Sequence, residues 1–103
     1  VTAVRHLVLL RFHDDTPATD RADIEAAFAA LPAQIAGISA FEWGTDVSPE
    51  GLSKGFTHAF VLSFHDEAAR NAYLSHPAHR AFVEMLKPHL ADVLVLDYLP
   101  RPN

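Results

Sequence analysis

Val4-Arg5-His6-Leu7-Val8-Leu9-Leu10-Arg11-Phe12 alternates. Val4, His6, Val8, Leu10 and Phe12 point to one face of a strand, and Arg5, Leu7, Leu9 and Arg11 to the other, because successive side chains of an extended chain leave on opposite sides. The second set is apolar in its middle. A sheet in a small monomer usually gives one face to water, so Leu7 and Leu9 predict cover from a second chain. The strand also has an echo. His6 followed by Phe12-His13-Asp14 recurs at the same spacing as His58 followed by Phe64-His65-Asp66, as if each copy opened one half of the chain.

Working outward, Thr16-Pro17 reads as a helix entry, with Thr16 as the cap and Pro17 in the first helical position. Ile24, Ala27, Phe28 and Leu31 make one apolar stripe, and Pro32 and Gly37 end that helix. Residues 38–47 form a second strand, rich in β-branched and aromatic side chains. A polar loop with two glycines spans 48–55, and a third strand spans 56–64. Asp66-Glu67 opens a second helix with Ala69, Ala72, Tyr73 and His76 inward. Pro77 breaks it, and His79, Phe82, Val83 and Leu86 continue as a second stripe. Pro88 closes that piece, and residues 92–99 form the last strand before the tail Pro100-Arg101-Pro102-Asn103. The order β-α-β-β-α-β predicts an α+β fold of the ferredoxin-like split βαβ type: one domain over residues 1–103, a four-stranded antiparallel sheet backed by helices. The echoed motif supports this architecture, in which strands one and three are expected as parallel central neighbours with equivalent residues about 4.8 Å apart.

Composition narrows the function. A net charge of -5 with eight basic residues offers a nucleic-acid backbone little, since that affinity comes from Lys and Arg. With no cysteine there is neither a disulfide framework nor a thiolate nucleophile. No apolar run approaches the ~20 residues that span a bilayer, so no membrane partner is expected. The chain opens directly on strand-like sequence, without a signal peptide, and the expected location is cytoplasmic.

The polar residues that face inward are the candidates for chemistry. The second helix, running back at ~1.5 Å per residue, is expected to bring His79 level with His58, with His6 on the adjoining strand and Tyr73 two turns higher. Val8, Phe28, Phe60 and Phe82 would wall the space. A mostly apolar pocket with a few aimed polar groups suits a small apolar or aromatic ligand. A lone inward histidine is usually a hydrogen-bonded core residue, and an inward tyrosine is usually packing. Three histidines and a tyrosine on one face exceed what packing requires. His76 and His79 lack a nearby carboxylate to make a metal site, so no metal is expected. His13, His65 and His89 are expected to face solvent.

Taken together, His6 in the opening strand, Trp43-Gly44-Thr45-Asp46-Val47, Gly55-Phe56-Thr57-His58, Tyr73 with His76-Pro77-Ala78-His79, and the closing Asp97-Tyr98 resemble the stress-responsive A/B barrel domain family over nearly the whole chain. The resemblance implies a homodimeric α+β barrel closed through the sheet faces. It also implies a small-molecule pocket between sheet and helices, with the reaction left open. One mechanism in the family is that of a plant polyketide cyclase, an intramolecular aldol closure without cofactor. By that likeness His79 would be the general base and Tyr73 the donor to the carbonyl oxygen, with His6 and His58 lining the pocket. Phe28 stands where that enzyme has a tyrosine, so substrate is not carried over. A related dimeric-barrel monooxygenase is the third reading.

Overall fold

The alternation in β1 (Val4–Phe12) is realised residue by residue: Val4, His6, Val8, Leu10 and Phe12 are buried and the four between them half-buried. The computed structural model describes residues 3–103. After β1 come α1 (Ala18–Ala29), the short α2 (Leu31–Gln34), β2 (Ile38–Thr45), β3 (His58–Phe64), α3 (Glu67–Ser75), α4 (Pro77–Leu86), a 3₁₀ turn (Lys87–His89) and β4 (Leu90–Tyr98). The strands form one antiparallel sheet in the order β2-β3-β1-β4. The buried side chains of β1 and β3 look toward the helices, which is the ferredoxin-like arrangement the element order predicts.

β1 and β3 are the central neighbours, but they run antiparallel, not parallel. The connections dictate this. β1 and β2 run the same way with one strand between them, and β3 turns back from β2 into that gap. His6 therefore pairs with Leu62, and His58 pairs with Leu10. The two histidines share a face but stand four residues apart along the ladder, about 13 Å at ~3.3 Å per residue.

Element ends differ from the sequence reading for local reasons. Thr16 does not cap α1. It is buried in a turn, its N–H bonded to the His13 carbonyl at 3.0 Å, and Pro17 is the cap residue with no side-chain bond. α1 stops at Ala29 because Pro32 has no N–H for the Phe28 carbonyl. Asp66 does cap α3, accepting from the Ala69 N–H at 2.9 Å. Ala72, expected inward, is exposed. β2 ends at Thr45, β3 begins at His58, and β4 begins at Leu90, carried there by the 3₁₀ turn.

Between sheet and helices the core is dense with rings. Phe28 of α1 stacks on Phe60 of β3 at 4.1 Å between centroids, and Phe82 of α4 closes on Phe28 at 4.7 Å. Each buried ring of this kind contributes roughly 1.5–3 kcal/mol. The opposite sheet face carries Leu7, Leu9, Val61, Leu94 and Leu96, with none of the described helices over it.

Candidate functional site

The break between α3 and α4 builds the site. In an unbroken helix the Leu74 carbonyl would accept from the Ala78 N–H, and the Tyr73 carbonyl from residue 77. Pro77 has no N–H to give. His76 turns extended, its own N–H bonds the Tyr73 carbonyl at 3.1 Å, and its ring Nδ1 accepts from the Ala78 N–H at 3.0 Å. Leu74 is left with a free carbonyl, which the His79 ring takes through Nδ1 at 3.2 Å. A carbonyl only accepts, so Nδ1 carries the proton and Nε2 keeps a lone pair. His76 and Pro77 thus set the tautomer of His79.

Tyr73 lies between two imidazoles, its ring 4.4 Å from that of His79 and 5.8 Å from that of His6. His6 Nδ1 donates to Asp97 Oδ1 at 2.6 Å, and Arg70 of α3 binds the other oxygen of the same carboxylate. The chain Arg70–Asp97–His6 fixes one ring from behind, as carboxylates do for working histidines. Among the described residues, Tyr73 Oη, His6 Nε2 and His79 Nε2 make no hydrogen bond, yet no sealed polar side-chain atom lacks a partner. These three atoms therefore reach space that solvent can enter, although Tyr73 as a residue is only 1% exposed. Burial pushes the Tyr73 phenol far above its ordinary value, so it stays a donor. Burial also lowers the pKa of His79, with His6 adding to the effect and the Leu74 bond opposing it. His79 is therefore neutral near pH 7. A neutral base beside a protonated phenol can move a proton from carbon and hold the resulting oxyanion.

His58 is not part of this group. At the far end of the same sheet face its Nε2 donates to Glu25 of α1 at 2.7 Å, and its Nδ1 meets the Thr57 hydroxyl at 2.7 Å. Phe12 packs edge-on at 5.1 Å, and Trp43 lies parallel to the ring at 6.0 Å. Between the two ends Phe28 packs against both Phe60 and Phe82. The expected single convergence of four polar groups is replaced by a group of three (His6, Tyr73 and His79), an aromatic cluster and a hydrogen-bonded histidine. Val8 lies next to His6 on that face and pairs with Val95. A groove of about 370 Å³, lined by Leu9, Glu42, Gly44, Phe56, Thr57 and Val61 among others, opens mainly on the helix-free face.

Three residues were missed from sequence: Asp97, Arg70 and Glu25. Asp97 had a signal, as a carboxylate inside an apolar strand. Arg70 and Glu25 sit one position off their helices' inward stripes and had none. Among the described residues no three His, Asp or Glu side chains gather as a metal ion would require.

Fold and site define a small ferredoxin-like α+β protein with an acid–base cluster under a broken helix. The match to the stress responsive A/B barrel domain extends over residues 4–100, and the chain belongs to that family. It is 37% identical to the stress-response A/B barrel domain-containing protein HS1 of Arabidopsis thaliana, over 94% of this chain and 89% of that one. It is 28% identical to olivetolic acid cyclase of Cannabis sativa, over 96% and 98%. The hydroxynitrile lyase of Passiflora edulis superposes with a TM-score of 0.92 at 27% identity, covering 99% and 96%. A dimeric ferredoxin-like protein from Thermobifida fusca superposes at 0.81 with 29% identity, covering 96% and 92%.

Proposed function

We propose that the chain is a cofactor-free acid–base protein acting on a small carbonyl compound with an apolar or aromatic part. His79 Nε2 takes the proton from the carbon beside a carbonyl, and the electron pair moves onto the oxygen as an enolate. Tyr73 Oη donates a hydrogen bond to that oxygen. The enolate carbon then attacks a second carbonyl of the same molecule, and protonated His79 returns its proton to the new alkoxide. His6, held by Asp97 and Arg70, keeps the opposite side of Tyr73 polar. The observation that carries this reading is the hydrogen bond from His79 Nδ1 to the Leu74 carbonyl, which leaves Nε2 without a partner among the described residues. The likeness to a cyclase and a hydroxynitrile lyase supports carbonyl chemistry in general and leaves the substrate open.

We propose also that the chain is a homodimer through its sheet faces. Leu7, Leu9, Val61, Leu94 and Leu96 lie on the helix-free side, and solved relatives are dimeric. Sedimentation at micromolar concentration should give twice the chain mass; a monomer contradicts the dimer. For the chemistry, β-keto thioesters should be consumed by the wild type and lose at least a hundredfold in rate with His79→Ala. Turnover indifferent to that substitution sinks the assignment.

A further inference from the structure

Three elements meet on one carboxylate. Asp97 of β4 pairs across the ladder with His6 of β1, and its Oδ1 accepts from His6 Nδ1 at 2.6 Å. Its Oδ2 accepts from Arg70 Nη1 of α3. Arg70 is anchored in turn: its Nε donates to Asn71 Oδ1 at 2.9 Å, and its Nη2 lies 3.6 Å from Glu67 Oε1. Arg70 and Tyr73 stand three residues apart on that helix, so one side of it carries both the guanidinium and the phenol. Behind the ion pair a cleft of about 240 Å³, lined by Glu67, Arg70, Asp97 and Tyr98 among others, admits water. The side chains of Arg70 and Asp97 are 18% and 23% exposed, whereas that of His6 is 5% exposed. The two charges keep part of their hydration, and the ring they hold keeps almost none.

The charges decide what that ring can be. A carboxylate alone beside an imidazole favours the imidazolium, because an opposite charge within ~4–6 Å stabilises the protonated form. Here the carboxylate is already answered by a guanidinium, which is charged at every working pH. Glu67 is farther from Arg70 and exposed, so solvent screens it. Among the described residues no other element brings a full charge to His6. β3 offers Leu62 in the ladder and the Phe64 ring at 6.3 Å, α3 the phenol of Tyr73 at 5.8 Å, and α4, beyond that phenol, His79. A neutral His6 gives its one proton to Asp97 and turns a lone pair at Nε2 toward the site. Its neutrality matters to His79. After burial, His6 is what lowers the His79 pKa further, and a charged ring across Tyr73 would oppose the charge that His79 acquires on taking a proton.

We infer that Arg70 is a positioning residue that sets the charge of the site: by balancing Asp97 it keeps His6 neutral, and so leaves His79 able to take the substrate proton. This rests on the acid–base reaction proposed above. It adds the means by which the site avoids holding two imidazolium rings around one phenol.

Nitrogen-resolved NMR of the imidazoles across pH, run on wild type and Arg70→Met, reads the ring without any turnover. His6 should bind its second proton about tenfold more tightly, or better, in Arg70→Met. The Arg70→Met rate on β-keto thioesters should fall about tenfold at pH 7 and return as pH passes the new His6 midpoint, so that its acid limb lies at higher pH. Arg70→Lys keeps the charge and should titrate and turn over close to wild type. Arg70→Met/Asp97→Asn removes both charges and should recover rate at pH 7 that Arg70→Met alone has lost. An unchanged His6 titration in Arg70→Met overturns the inference. So does a double variant no faster than the single, the mark of a merely structural clamp. If His6 titrates as stated while the wild type leaves β-keto thioesters untouched, the proposed reaction falls and the hold of Arg70 on the ring stands.

Discussion

At one end of the helix-covered sheet face, His58 has both ring nitrogens engaged, by Glu25 and Thr57, and aromatic rings around it. At the other end, His79 has one nitrogen tied to a backbone carbonyl and the other without a partner among the described residues, beside a buried phenol whose hydroxyl likewise bonds none of them. Both are histidines on one face of a 103-residue chain. They differ in whether folding has used up their hydrogen-bonding capacity. A group with every valence answered stabilises, whereas a group held in place with one valence left over can bind or react. The Phe28–Phe60–Phe82 cluster keeps the two ends apart.

The largest expected effect is on turnover. His79→Ala should lower the rate on β-keto thioesters by about 10²–10⁴, while His58→Ala should change it no more than a few-fold. Next comes the aromatic cluster. Phe28→Ala should destabilise by about 3–5 kcal/mol in denaturant titration, because its ring touches Phe41, Phe60 and Phe82 at once. Tyr73→Phe should cost about 10²–10³ in rate with a melting temperature close to wild type, because its hydroxyl binds no described residue. A large loss of stability would show that the hydroxyl is structural after all. Glu25→Ala should do the reverse, costing roughly 1–3 kcal/mol through an unpaired buried imidazole nitrogen with little change in rate.

The smallest effect is with pH. Burial lowers the His79 pKa in the folded chain relative to the unfolded one. The unfolded chain therefore binds the proton more readily, and the His79 contribution to stability is present above the ordinary value near 6.5 and lost as pH falls through the lower folded value. The rate should fall on the acid side in that same lower range. An acid limb above pH 6.5 would point to another base.

Much of this was legible in the residues. The alternation of Val4–Phe12 and the break at Pro77 describe local structure and are found as read, and the stripe Ile24, Ala27, Phe28 and Leu31 does face the core, although Leu31 belongs to the separate α2. What the pattern does not carry is direction across the sheet. The ferredoxin-like element order is compatible on paper with parallel central strands, and it is the β2–β3 connection that sets β1 and β3 antiparallel. His58 moved out of the site for that reason. Tyr73 and His79 stayed together because one short stretch of chain holds both. Arg70 and Glu25 escaped notice because an exposed-looking position gives no sign of a long side chain reaching inward.

Nitrogen-resolved NMR of the imidazoles, read with and without a β-keto thioester analogue, tests the division between the two ends most directly. The account predicts that His79 is neutral at pH 7 with the proton on Nδ1, and that the analogue shifts His79 and His6 while leaving His58 in place. A proton on His79 Nε2, or a response confined to His58, would contradict it.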